Sequence, residues 1–546
     1  MRLTAFLAQA ATMAVMTTMV VAPAQAAPVA PGVIRPVRGC AELVRDYAIP
    51  GAATHVVSAT LVEATGTEPA QCDVRGYVEP AVNFKLRLPT DTYRGRYVQH
   101  GCPGECGVME QAPPECGPRN PDLAVAQTDD GHVGKGDFPA NISDASWAEN
   151  NQAARDDFYF RAPHVVSVAV KKLIQRFYGA PPKQSYFFGC STGGREGLIL
   201  AQRYPHDFDG ISVGSPAIFL GPLNGIYIAF AAKTNMGADG QSILTREKLP
   251  ALHNAVLAAC DHLDGLVDGQ LDDPRRCRFD PGTVQCSAGT DGPNCLTPAQ
   301  VAVVRKLYDG PRDPDGTRLY PGWQTRGSEL SWDGHLVPNE FSSARPFPDQ
   351  FLQYMAYPIG RPQSSLAEIE FTVEELRRLK PESIAGNAAS LDMREFRRSG
   401  GKLIMWSGWD DQSIPAVGML DYYQRVWQRS GGLQATQQWL RTYVIPSKYH
   451  AWTGGSRLTE FETFNALVDW VERGRAPVGI VATGTNPEGG PRARPVYPYP
   501  LVARYDGTGS VDEARNFVPV RPPGRLNDVI DWAGEDLHHR PGPVAR

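Results

Sequence analysis

The sequence lacks a basic excess. Its 546 residues carry 54 Lys and Arg against 59 Asp and Glu, a formal net charge of −5, which excludes the electrostatic footprint of a nucleic-acid binder. Past the N-terminus no apolar run approaches the ~20 residues needed to cross a bilayer, so no membrane span is expected in the mature chain. No internal repeat is visible, which excludes a repeat architecture. The chain is not short of apolar residues either: 42% hydrophobic and 21% charged are globular values and not those of a disordered segment.

What is present begins with an export signal. Met1-Arg2 opens an apolar run from Leu3 to Pro23, which ends in Ala24-Gln25-Ala26. A short basic start, an apolar stretch and a small-residue A-x-A site make a secretory signal peptide, 1–26, cleaved before Ala27. The compartment is then secreted or periplasmic, where disulfides persist, and the even count of 10 cysteines allows up to five bridges. With 54 Gly and 47 Pro the chain is rich in turns and ordered loops, unlike a helix bundle.

The periodicity predicts an α/β fold. Residues from about Val57 to His100 read as strands, followed by a glycine-rich loop, Gly101-Cys102-Pro103-Gly104-Glu105-Cys106-Gly107, and a strand at Leu123–Thr128. Pro163 to Tyr178 has helical spacing of apolar residues, with proline in the first turn where its missing N–H costs nothing. A buried strand at Gln184–Phe188, a helix at Gly193–Tyr204 and a strand at Ile211–Val213 follow. Such alternation implies a parallel sheet covered on both faces. It stops near Pro216 and resumes at Lys402–Trp406 and Thr442–Ile445, with a late helix at Phe461–Val471. The reading is a core domain in two parts, 27–217 and 391–546, split by an insertion at 218–390, with a Pro-rich tail from about Arg475.

Gly189-Cys190-Ser191-Thr192-Gly193 contains G-x-S-x-G between a predicted strand and a predicted helix, the context of a nucleophile elbow. A serine hydroxyl needs a base, and the chain order Ser, acid, His places both partners downstream. His450 is the one histidine, of only 11 in the chain, that follows the resumed strands and precedes the tail. Asp410 and Asp411 both follow the first resumed strand, and either can orient an imidazole. An oxyanion site needs N–H donors: Thr192, just after the serine, and Gly101 or Cys102 from the glycine-rich loop, since Pro103 has no N–H.

These residues resemble the tannase/feruloyl esterase family of α/β hydrolases. The resemblance is carried by Gly189–Gly197, Gln127-Thr128-Asp129-Asp130-Gly131-His132, Cys295-Leu296-Thr297-Pro298-Ala299-Gln300, Gly400–Ile404 and Tyr499-Pro500 with Ala503-Arg504-Tyr505. It implies an α/β-hydrolase fold with a large inserted lid. It also implies a carboxylic-ester hydrolase acting on esters of aromatic acids of feruloyl, galloyl or terephthaloyl type. Its G-W-x-D-x-x-I-P pattern assigns the acid to Asp411, giving a triad of Ser191, Asp411 and His450. Acyl transfer to another acceptor by the same triad is the alternative, and a non-catalytic hydrolase-fold binding protein is disfavoured because Ser and His are both kept.

The resemblance further implies a structural Ca²⁺ in the lid, at Cys260-Asp261-His262-Leu263-Asp264-Gly265-Leu266-Val267-Asp268-Gly269-Gln270. Asp261, Asp264 and Asp268 would give carboxylates, and Leu266 and Gln270 backbone carbonyls. Clustered carboxylates suit that hard ion, though the spacing is not that of an EF-hand. The pairs Cys40–Cys72, Cys260–Cys277 and Cys286–Cys295 are implied in the same way. One departure is evident. The family joins the cysteine before the serine to a cysteine after the histidine, but here Ala451 follows His450, and Tyr497 and Val518 replace a further pair. Cys102, Cys106, Cys116 and Cys190 remain, with three possible connectivities. Cys106–Cys116 is the local choice, leaving Cys102 to pair with Cys190. Lid aromatics Trp323, Trp332, Phe341, Phe347, Phe351 and Tyr354 are candidates for the pocket wall.

Overall fold

A computed structural model describes residues 32–66, 68–109, 116–339, 345–451, 453–523 and 527–538. The signal peptide and Phe341 lie outside the described residues.

Ten strands form one sheet in the order β1-β2-β3-β4-β6-β5-β7-β8-β9-β10. They are β1 (Asp46–Tyr47), β2 (Thr54–Val62), β3 (Gln71–Val78), β4 (Val82–Pro89), β5 (Arg96–His100), β6 (Leu123–Thr128), β7 (Gln184–Cys190), β8 (Gly210–Gly214), β9 (Lys402–Gly408) and β10 (Leu440–Ile445). From β6 to β10 every pairing is parallel. The first four strands are antiparallel and extend one edge, so the expected parallel sheet is in fact mixed. In β3 and β4 burial alternates residue by residue, as one covered face requires. Strands β7 to β9 are apolar and buried almost throughout, as strands with two covered faces are.

Successive side chains point to opposite faces, and the cores separate accordingly. Tyr97, Phe187, Leu403 and Met405 enter one cluster; Val98, Tyr186, Phe188, Ile404 and Trp406 enter another. The first core is closed by the helices Ala162–Tyr178, Thr192–Arg203 and Ala416–Arg429, and the second by Phe464–Arg473. The Ala162–Tyr178 helix ends because Gly179 adopts φ 81° and returns its N–H to Gln175 O at 2.9 Å.

Between β8 and β9 the chain builds a third core around Leu252, Val256, Val304, Leu307 and Trp332. Its Pro298–Asp309 helix starts on a capping box: Thr297 Oγ1 accepts from Gln300 N at 3.3 Å, and Gln300 Oε1 accepts from Thr297 N at 3.0 Å. The region expected as a Pro-rich tail holds strands instead. Leu458–Glu460, Ile480–Thr485 and Pro491–Val496 form one antiparallel sheet, and Val502–Tyr505 pairs with Phe517–Val520. Prolines 491 and 495 are tolerated there because the strand pairs with only one neighbour in that sheet.

All ten cysteines are bonded: Cys40–Cys72, Cys102–Cys106, Cys116–Cys190, Cys260–Cys277 and Cys286–Cys295. The expected Cys106–Cys116 and Cys102–Cys190 pairs are corrected, and the sheet explains why. Cys102 and Cys106 belong to the core on one face, and Cys116 and Cys190 to the core on the other. Proximity in sequence loses to the face on which each sulfur emerges. Non-reducing peptide mapping is expected to recover a Cys116–Cys190 cross-linked peptide and no free thiol; a Cys106–Cys116 peptide would overturn this account.

Candidate active site

The parallel register delivers the loops of the site to one edge. Cys190 pairs with Gly214, Gly214 with Trp406, and Gly408 with Ile445. The loops leaving β7, β9 and β10 carry Ser191, Asp410-Asp411 and His450.

Ser191 adopts φ 59° and ψ −120°, a conformation rarely open to a residue with a Cβ. Its N–H donates to Gly214 O at 2.9 Å, and its carbonyl accepts from Ala217 N and Arg195 N, each at 3.1 Å. The turn is so tight that a Cβ on Gly189 would meet Gly193 O at 2.4 Å. A Cβ on Gly101 would meet Gly193 Cα at 2.5 Å, so the glycine-rich loop and the helix start press together backbone to backbone.

His450 Nδ1 lies 3.0 Å from Asp411 Oδ1 and 2.9 Å from Oδ2. Asp411 Oδ1 also accepts the N–H groups of Ser413 at 3.0 Å and Ile414 at 2.7 Å. The carboxylate is thus fixed by its own loop before it meets the ring. Asp410 turns elsewhere: its N–H donates to Lys448 O at 3.1 Å, and burial, then the nearby Glu329 charge, push its carboxyl well above the usual range. The turns that carry His450 and Ser191 are linked through neighbouring residues. Ala451 N donates to Ser215 Oγ at 3.3 Å, one residue beyond the Gly214 that binds Ser191.

Thr192 opens the Thr192–Arg203 helix, whose first-turn N–H groups have no partners within the helix. Gly101 is corrected as a second donor, because its N–H already donates to Phe188 O at 2.8 Å in the β5–β7 ladder. Cys102 remains, with its N–H directed at Glu196 Oε1 at a long 3.4 Å.

A buried group capable of holding a metal lies behind this loop. Ligand atoms of Cys102, Cys106, Asp130 and Glu196 lie within 4.8 Å of one another. The two sulfurs are joined in a disulfide, which leaves two carboxyls as ligands. Burial pushes Glu196 up to about 8 and Asp130 well above its ordinary value, the neighbouring Glu196 charge adding to the latter. Glu105 is likewise pushed up to about 8 by burial, against the opposing pull of Arg195 and the Asn224 hydrogen bond. Sequence reasoning missed this acid cluster: Asp130 and Glu196 are 66 residues apart in numbering, and only the β6–β5–β7 order joins them.

In the Asp-Gly loop, Asp261 accepts the N–H groups of Gly269 and Gln270 at 2.9 and 3.2 Å. Asp264 accepts those of Leu266 and Asp272, both at 3.1 Å. Asp268 faces Arg494 at 2.8 Å and Arg492 at 3.5 Å. Asp264 is pushed up to about 7 by burial and then by Asp272, and Asp272 up to about 6, chiefly by burial. Crowded, desolvated carboxylates fit a hard cation that would relieve both effects. A cavity of about 800 Å³ is lined in part by Asp264 and Asp272. Of the candidate pocket aromatics, Trp332 and Phe351 are buried in cores, and Trp323 lies beneath the Arg318 guanidinium at 4.6 Å.

The tannase and feruloyl esterase family profile matches residues 63–520. The chain is 30% identical over 525 residues to mono(2-hydroxyethyl) terephthalate hydrolase of Piscinibacter sakaiensis, covering 83% of this chain and 85% of that protein. It is 30% identical over 447 residues to a probable feruloyl esterase B-2 of Aspergillus flavus, covering 76% and 81%. The crystal structure of feruloyl esterase B from Aspergillus oryzae superposes with a TM-score of 0.73 at 24% identity, covering 86% of this chain and 97% of that one.

The acid cluster predicts a pH dependence of stability. Glu196 and Glu105 have raised carboxyls in the folded state, so the native protein holds more protons than the unfolded chain between about 4.5 and about 8. Their contribution is full below the lower value and is lost as pH rises through the upper one. Urea midpoints measured from pH 5 to 8 are expected to fall for the wild type. In Glu196→Gln the fall should be shallower by at most about 1.4 kcal/mol per pH unit. An unchanged slope would show that Glu196 is ionised in the native state.

Proposed function

The chain belongs to the tannase and feruloyl esterase family and is a carboxylic ester hydrolase; from that premise we propose that it cleaves esters of aromatic acids through Ser191, His450 and Asp411. The observation that carries this reading is the carboxylate of Asp411, fixed by two backbone N–H groups and bonded to His450 Nδ1. That bond leaves Nε2 as the nitrogen that takes up a proton. Ser191 Oγ attacks the ester carbonyl as His450 accepts its proton, and Asp411 stabilises the imidazolium. The oxyanion of the tetrahedral intermediate is met by the N–H of Thr192 at the helix start and by that of Cys102, which exchanges its long contact with Glu196 Oε1 for the oxyanion. His450 returns the proton to the departing alcohol. Water, activated by the same ring, then releases the acid from the acyl-enzyme.

The aromatic-acid assignment is supported by relatives named for feruloyl and terephthalate esters. Residues 218–390 form the lid of this reading, and 1–26 direct the chain out of the cytoplasm. Five disulfides are in keeping with that destination. No helix among the described residues is long and apolar enough to cross a membrane. Asp261, Asp264 and Asp268, with the Leu266 and Gln270 carbonyls, hold Ca²⁺ in the lid. An ion bound there would offset the crowding of the Asp264 and Asp272 carboxyls and would have a structural role.

Ser191→Ala is expected to abolish turnover of methyl ferulate, methyl gallate, chlorogenate and a terephthalate monoester while the circular dichroism spectrum is unchanged. Hydrolysis of short aliphatic esters alone by the wild type would overturn the substrate class. Asp411→Asn should lower kcat by up to about 10⁴-fold, whereas Asp410→Asn should leave kcat within its wild-type order of magnitude.

Calcium should raise Tm after chelator treatment, by the equivalent of about 2.7 kcal/mol at 100 times Kd. Because Asp264 must lose its proton to bind, and its carboxyl is raised to about 7, the increment should be larger at pH 8 than at pH 6. Asp264→Asn should remove it. Equal increments in the variant and the wild type would place the ion elsewhere.

A further inference from the structure

A chain of buried hydrogen bonds leaves the segment between β8 and β9, crosses the acid loop and ends on the backbone of His450. Trp332 Nε1 donates to Gln324 Oε1 at 2.9 Å and lies 3.0 Å from Ser328 Oγ, whose own hydrogen goes to Thr325 O at 2.6 Å. Gln324 Nε2 donates to the main-chain carbonyl of Gln412 at 2.8 Å and to the Tyr227 hydroxyl at 2.5 Å. Gln412 Oε1 then accepts the N–H of His450 at 3.1 Å. Thr325 Oγ1 adds a bond to Trp409 O at 2.6 Å. The carbonyls on both sides of Asp410-Asp411 are therefore held by adjacent residues of one segment. Gln324 and Gln412 are each 1% exposed, and acyl transfer uses neither.

The orientation of both amides is determined. An indole nitrogen only donates, so Gln324 must present its oxygen to Trp332 and its nitrogen to Gln412. A backbone N–H only donates, so Gln412 must present its oxygen to His450. The loop that receives this contact needs holding. Ser447 and Ala451 adopt φ 56° and 41°, left-handed values that cost a non-glycine residue about 1–2 kcal/mol each and persist only where surrounding contacts over-determine them. No covalent tie from Cys190 restrains this loop, because Cys190 is bonded to Cys116.

We propose that Gln412 and Gln324 are positioning residues, a relay by which the inserted segment fixes the His450 backbone, and with it the imidazole, against Asp411. The insertion is then a working part of the triad as well as its cover. This rests on the triad reading above.

The test measures kcat, KM, the pH profile of kcat/KM and Tm for Gln412→Met, Gln324→Met, their double variant and Gln412→Glu, with concentrations normalised by fluorophosphonate titration of competent sites. Ser191→Ala is the reference. Gln412→Met is expected to lower kcat roughly 10- to 100-fold, the scale of a small misplacement of a catalytic group, with KM within about twofold. Gln412→Glu keeps an acceptor oxygen and should recover most of that loss. Its added acidic group should move the acid limb of the profile to higher pH. The double variant should lose no more than the worse single one, because both break the same relay. Wild-type kcat in Gln412→Met, or losses that multiply in the double variant, would overturn the relay. Should Gln412→Met not fold, Gln412→Asn, which draws the acceptor back by one methylene, is scored by the same criteria. Turnover surviving in Ser191→Ala would refute the triad itself; its loss alongside an unaffected Gln412→Met would refute the relay alone.

Discussion

Everything at the candidate site depends on the parallel register of β5, β7, β8, β9 and β10. Five consecutive strands end near one level, with His100 opposite Phe188, Cys190 opposite Gly214 and Gly408 opposite Ile445. A parallel pair cannot be joined by a short turn, so each strand must send its chain away across a face and bring it back. The segments that leave the carboxyl edge are therefore free to carry polar groups, while the strands beneath them stay apolar. The left-handed turn at Ser191 exists because Gly214 O, on the next strand, takes its N–H. The gap between Gly101 and Gly193 closes for the same reason, since β5 and β7 lie side by side.

That arrangement has an electrostatic consequence. Packing the glycine-rich loop against the helix start removes water from Glu105, Asp130 and Glu196 together. Arg195 is buried among them, but its guanidinium also donates to the carbonyls of Phe158, Tyr159 and Gly386. One cation cannot balance three carboxylates in a medium of low dielectric constant, so protons are retained. In the Asp-Gly loop the same desolvation raises the carboxyls of Asp264 and Asp272, whereas Asp268 is paired with Arg492 and Arg494. Proton retention behind the glycine-rich loop and charge pairing at Asp268 are two responses to the same desolvation.

Local pattern was enough to read the central strands, the Ser191 turn and the helix at Pro163 to Tyr178, because each is written in adjacent residues. The α/β class followed from their alternation, and the hydrolase fold from the family resemblance. Position alone left Asp410 and Asp411 equivalent. Their difference is three-dimensional, since consecutive residues of a turn project to different sides and only one meets His450. Three expected disulfides are present, Cys40–Cys72, Cys260–Cys277 and Cys286–Cys295, and the reading failed only for the remaining four cysteines. Separation along the chain favoured Cys106–Cys116, whereas the sheet lies between those sulfurs. The strands after Arg475 were hidden by their prolines, which are excluded from central strands but not from edges. The acid cluster had no local signature, because Glu105, Asp130 and Glu196 come from three different connections.

The absence of a cross-link between the serine and histidine turns changes where the site's rigidity comes from. A disulfide restrains two loops whatever surrounds them, and acts largely through the unfolded state. Buried amide hydrogen bonds act only when every partner is in place, since each unmatched polar atom costs about 1–3 kcal/mol. Here Trp332, Gln324, Tyr227 and Gln412 must all be packed before His450 is held, and three of the four come from the segment between β8 and β9. The third core, around Leu252 and Trp332, thereby acquires a task beyond its own stability. On the proposed relay, loosening it releases Gln324, then the Gln412 carbonyl, then His450. A substitution in that core that never touches substrate will be felt in kcat, because the indole of Trp332 is at once a core side chain and the first donor of the relay.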